Sequence, residues 1–243
     1  MLLMTKEIEI PVSDVRLKGD LTIPDKAPGL VIFSHGSGSS RKSPRNRYVA
    51  EQLQEKGLAT LLLDLLTERE DEVYETRFDI GFLSLRLREV VQWAMVYPET
   101  KGLNIGFFGA STGAASALQV AGEVGENVRA VVSRGGRPDL AGSGALSKVT
   151  APTLFIVGGL DFGVVELNQA AFDELVCIKQ MNIVSGATHL FEEPGKLEEV
   201  ALLAGMWFEK YLSSTAELQI RHTVDNQRVA FGKGSNKFAR ILK

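Results

Sequence analysis

The chain has 243 residues, of which 44% are apolar and 23% charged, with a net charge of −3. These values exclude a wholly disordered chain, a collagen-like repeat and a coiled coil, and they argue against a nucleic-acid partner. No run approaches the roughly 18 apolar residues of a membrane span, and the single cysteine, Cys177, excludes an intrachain disulfide and offers no ligand cluster for a metal. A cytoplasmic protein without membrane contact is expected.

Residues 6–23 read as two strands joined by a short turn, with Ile8, Ile10 and Val12 alternating against charged neighbours. Beyond Pro28 the pattern changes. Short apolar runs at 30–33, 59–63, 105–108, 130–132, 154–157 and 178–184 alternate with helical stretches near 45–56, 79–97, 112–124, 165–176 and 196–212. Near-continuous apolar strands suit a parallel sheet buried on both faces. The reading is α/β: a mostly parallel central sheet with an antiparallel N-terminal edge, helices on both faces and no large cap domain. Residues 1–212 form this domain. Residues 213–243 carry six basic and two acidic groups, and read as a basic tail or an added hairpin.

Gly109-Ala110-Ser111-Thr112-Gly113 lies between an apolar run and a helical stretch. A sharp strand-to-helix turn crowds the backbone. Glycines on both sides relieve the crowding and leave the serine oxygen exposed. A serine hydroxyl needs a base to act as a nucleophile, and the base needs an orienting carboxylate. Only three histidines are available. His189 follows the last apolar run and is preferred over His222, which sits in the tail. His35 ends the first buried strand and reads as a residue that holds its loop. Asp161, after the Gly158-Gly159 turn, is the preferred acid, with Glu166 and Asp64 as competitors.

Acyl transfer also needs donors for a developing oxyanion. The N–H of Thr112 supplies one. The loop His35-Gly36-Ser37-Gly38-Ser39-Ser40 supplies the second, assigned to Ser37. That loop lacks the Gly-Lys-Ser/Thr ending of a phosphate-cradling loop. All these positions fall just past apolar runs, where parallel α/β sheets place their sites. Arg134, with Arg41, Arg45 and Arg47, is read as a basic rim, and Arg134 as the group that receives a substrate carboxylate or phosphate. The charge-dense loop 67–79 reads as solvated surface.

From about residue 6 to 212 the chain resembles the α/β-hydrolase superfamily, in particular its small dienelactone-hydrolase-like branch. The resemblance rests on His35-Gly36-Ser37-Gly38, Gly109-Ala110-Ser111-Thr112-Gly113, Gly159-Leu160-Asp161 and Thr188-His189. It implies a hydrolase that works through an acyl-enzyme without cofactor or metal. Classical dienelactone hydrolases carry a cysteine nucleophile where this chain has Ser111, so a small carboxylic ester is the expected substrate. Acyl transfer, thioester or peptide cleavage on the same residues, or a non-catalytic ligand-binding role, are the alternatives. Without an inserted cap the pocket is expected to be shallow and to favour short acyl groups.

Overall fold

The computed structural model describes residues 5–213. The expected tail therefore lies, apart from Ser213, outside the described residues. Strands β1 (Thr5–Val12) and β2 (Val15–Thr22) form the leading hairpin. Then follow β3 (Gly29–Ser34), α1 (Pro44–Glu55), β4 (Ala59–Leu63), α2 (Glu68–Asp71), α3 (Ile80–Val96), β5 (Asn104–Ala110), α4 (Thr112–Val124), β6 (Val128–Arg134), α5 (Ser143–Leu146), β7 (Thr153–Gly158), α6 (Phe162–Glu174), β8 (Lys179–Val184) and α7 (Lys196–Leu212). The sheet has the order β1-β2-β4-β3-β5-β6-β7-β8. β2 pairs antiparallel with β4, and every pairing from β4 to β8 is parallel.

Helix starts follow local chemistry. Ser43 caps α1 by accepting the N–H of Asn46, and Pro44 occupies the first turn, where a missing N–H costs nothing. Asp79 caps α3 by accepting from Phe82. Leu83, Leu87 and Val90 of α3 pack with Ala117 and Leu118 of α4 against one sheet face. Val49 and Leu53 of α1 pack with Val200, Ala204 and Phe208 of α7 against the other. Strands β3 and β7 are buried throughout. The apolar run at 178–184 differs. β8 is the sheet edge and is only partly covered, and Ile178 and Ile183 are exposed. Residues 67–79 are also more ordered than a solvated loop. They contain α2, a 3₁₀ turn at Glu75–Phe78 and an ion pair from Glu70 to the buried Arg86 at 2.8 Å. Among the described residues no helix is long and apolar enough to cross a membrane.

Candidate active site

Ser111 stands between β5 and α4 with φ 51° and ψ −125°, a conformation that L side chains rarely adopt. Two close approaches hold it there. A Cβ on Gly113 would stand 2.1 Å from the carbonyl oxygen of Ser34, and one on Gly109 would stand 2.5 Å from Cα of Ala114. Only glycine lets α4 start so close to β3. The backbone of Ser111 is clamped as well. Its N–H donates to the carbonyl of Arg134 at 3.3 Å, and its carbonyl accepts the N–H of Arg137 at 3.0 Å.

Asp161 lies in the turn after β7, as the residue before α6, and His189 lies in the loop after β8. Nδ1 of His189 lies 2.6 Å from Oδ2 of Asp161. A carboxylate there holds the proton on Nδ1 and leaves Nε2 as an acceptor. The histidine loop has its own braces. The backbone N–H of Thr188 donates to Glu193 at 3.2 Å and its hydroxyl donates at 2.6 Å, which holds the Glu193 carboxyl below its usual range. Gly158 admits this loop, since a Cβ there would stand 2.5 Å from the carbonyl of Thr188. Segment 134–137 touches both sides of the site: it clamps Ser111, and Gly135 lies against His189.

The loop from His35 to Ser40 is fixed from behind. His35 is buried. Its Nδ1–H donates to the Gly36 carbonyl at 2.9 Å and Nε2 accepts the Leu65 N–H at 3.1 Å. Burial pushes its pKa down, despite the Gly36 bond. Beside it Arg41 donates to Asp64 through its backbone at 2.7 Å and its Nε at 3.0 Å, and to Asp20 at 2.5 Å. Asp64 is thereby committed to Arg41 and not to a histidine. Glu166 is exposed on α6, and His222 lies outside the described residues. Gly36 reaches Ser111, for a Cβ on it would stand 2.9 Å from the serine Cβ. The N–H of Ser37, expected to face the oxyanion directly, donates to Oγ1 of Thr112 at 2.8 Å.

The basic rim is not present as expected. Arg41 and Arg47 pair with Asp20, and Arg45 pairs with Glu192 at 2.8 Å. Arg134 is buried. Along β6 its side chain follows Ala130 and Val132 onto the face covered by α1 and α7, not toward a substrate. There it donates to Oδ1 of Asn46 at 3.3 Å and lies 5.8 Å from the Phe191 ring. Burial, and then the charge of Arg45, push its pKa down to about 10. Cys177 is half-buried near the start of β8, and burial raises its thiol pKa. Among the described residues no group of three or more His, Cys, Asp or Glu side chains could hold a metal.

A cleft of about 380 Å³, lined by Val15, Lys18, Leu66 and Thr67 among others, adjoins a hollow of about 130 Å³ lined by His35, Ser39, Ser40 and Leu66. The two share Asp64, Leu66, Thr67 and Glu68, and neither is lined by Ser111, Asp161 or His189.

The model of the dienelactone hydrolase family matches residues 17–225. The chain belongs to the dienelactone hydrolase family. It is similar to the crystal structure of a dienelactone hydrolase from Anabaena variabilis, with 53% identity and a TM-score of 0.84, covering 86% of this chain and 98% of that one. An esterase from Pyrococcus furiosus shares the fold at 20% identity and a TM-score of 0.69, covering 87% and 92%. The architecture is the α/β-hydrolase fold. A Mycobacterium tuberculosis protein with a provisional phosphoribosyl transferase name is 54% identical over 210 residues, which is 86% of this chain. The chain spans about half of that relative, 47% of its length.

The sequence pattern alone missed three features. Asp20 lies far in sequence from Arg41. Glu193 meets Thr188 through an irregular loop with no periodic signal. The Thr112 hydroxyl matters only because Ser37 lies beside it.

Proposed function

We propose that the protein hydrolyses small carboxylic esters through an acyl-enzyme on Ser111. The observation that carries this reading is the 2.6 Å contact between Asp161 and His189. It stands in a loop cluster that also clamps Ser111 at a positive φ. Family membership supports hydrolytic chemistry.

In this reading Nε2 of His189 takes the proton from Ser111 Oγ as that oxygen bonds to the ester carbon. The carbonyl electron pair moves onto oxygen, which is held by donors at the start of α4. Collapse breaks the bond to the leaving alcohol, which takes its proton from His189. Water then repeats the sequence, giving a proton to His189 and releasing the acid. Asp161 stabilises the imidazolium that forms twice. The phosphoribosyl transferase name of the mycobacterial relative belongs to a protein about twice this length, so it does not fix the chemistry of the matched half.

The test is p-nitrophenyl acetate turnover with and without a phosphonate inhibitor, followed by peptide mapping. Turnover with a single adduct on Ser111 supports the reading. Turnover that survives complete labelling, or an adduct elsewhere, overturns it. Product analysis with competing alcohols would separate hydrolysis from acyl transfer.

A further inference from the structure

Resting on that hydrolase reading, we propose that the side-chain hydroxyl of Thr112 is itself an oxyanion donor, polarised from behind by Ser37. The starting observation is a hydrogen bond in an unexpected place. The loop N–H expected to face the oxyanion, that of Ser37, is donated to Oγ1 of Thr112 at 2.8 Å. One lone pair of that hydroxyl is therefore filled, and its proton must point away from Ser37. Among the described residues the hydroxyl makes no other hydrogen bond, and Thr112 is buried. A buried O–H without an acceptor is costly in the resting protein. A negative oxygen arriving beside Ser111 would supply that acceptor.

Thr112 is the residue after the nucleophile and the first of α4. Its own N–H lacks an intrahelical acceptor for that reason. One residue thus presents two donors, N–H and Oγ–H, to the same region. The Ser37 N–H stands one bond further back. A hydroxyl that accepts a hydrogen bond becomes a stronger donor through its own proton, so the chain Ser37 N–H to Thr112 O–H to oxyanion is cooperative. Gly36 brings the loop against Ser111 closely enough for this, with no room for a Cβ. The assignment moves the loop's role from direct contact to relay. It also makes the threonine side chain, and not only its backbone, part of the chemistry.

The test compares Thr112→Val, which keeps the shape and the backbone N–H, with Thr112→Ser, which keeps the hydroxyl. Burst kinetics with p-nitrophenyl acetate give kcat and KM separately. Thr112→Val is expected to lose roughly 10²-fold in kcat with KM little changed, the scale of one oxyanion donor. Thr112→Ser is expected to recover most of that loss. The pH dependence of kcat/KM is expected to keep its midpoint in both variants, since the base is untouched. A Thr112→Val enzyme as fast as the wild type, or faster because the hydroxyl had blocked the hole, overturns the relay and leaves the hydrolase reading standing. Loss in both variants alike marks a packing role and also overturns it. A wild-type protein that neither turns over the ester nor labels at Ser111 overturns the hydrolase reading, and the relay with it.

Discussion

The backbone N–H of Leu65, just past β4, donates to Nε2 of His35, just past β3, at 3.1 Å. This bond ties two loops of the site together and needs a neutral imidazole, because the other ring nitrogen is already donating to Gly36. Burial lowers the folded pKa of His35 from 6.5. The unfolded chain therefore binds a proton where the folded chain does not, and stability falls as pH drops below about 6.5. Equilibrium urea unfolding at pH 7.5, 6.5 and 5.5 is expected to show this loss, with a slope from His35 of up to about 1.4 kcal/mol per pH unit. In His35→Phe that component should vanish. An unchanged slope would show that the imidazole does not carry it.

In the proposed mechanism Asp161 sets the tautomer of His189 through their 2.6 Å contact. Asp161→Asn places an amide where the carboxylate stands, and its N–H₂ can favour the wrong ring nitrogen. The expected result is a kcat lower by roughly 10³- to 10⁴-fold, with the fold intact by circular dichroism. A loss below tenfold would mean that another acid orients the base.

The loops of Ser111 and Asp161 were legible because each follows a buried apolar strand, whereas His189 follows the partly covered edge strand β8 and was legible from its place at the same carboxyl edge. The helix over 112–124 was legible from its small residues, which the approach of Gly113 to Ser34 explains. Arg134 was misread for a physical reason. The sequence reading makes it part of a basic rim free to meet a substrate, yet it ends β6 in alternation with Ala130 and Val132, which turns it under α1 and α7. The partners of Arg41 were hidden differently. Asp20 reaches it only because β2 crosses back to pair with β4, and no local pattern records a pairing between distant segments.

Gly135 has φ 49°, and a Cβ there would stand 3.1 Å from the carbonyl of His189 and 3.4 Å from the Phe191 ring. Gly135→Ala therefore strains the backbone and presses on the histidine loop. Destabilisation of about 1–2 kcal/mol is expected from the backbone, read as a lower urea midpoint with unchanged m. Activity should fall about tenfold or more, since misplacing the base by about an ångström is costly. A variant with normal stability and normal kcat would separate Gly135 from the site.

Arg134 is a buried cation with no carboxylate partner among the described residues, and its Nε makes no hydrogen bond. Removing such a charge while filling its volume relieves desolvation, set against one hydrogen bond to Asn46. Arg134→Met is therefore expected to change stability by about 1 kcal/mol or less. Arg134→Ala leaves a hole beside Phe191 and should cost about 2 kcal/mol or more. The ratio of kcat/KM for a neutral ester to that for an ester bearing a carboxylate should match the wild type in Arg134→Met. A selective loss on the anionic ester would mean that the guanidinium reaches the substrate after all, through a rearrangement of α1 and the Phe191 loop.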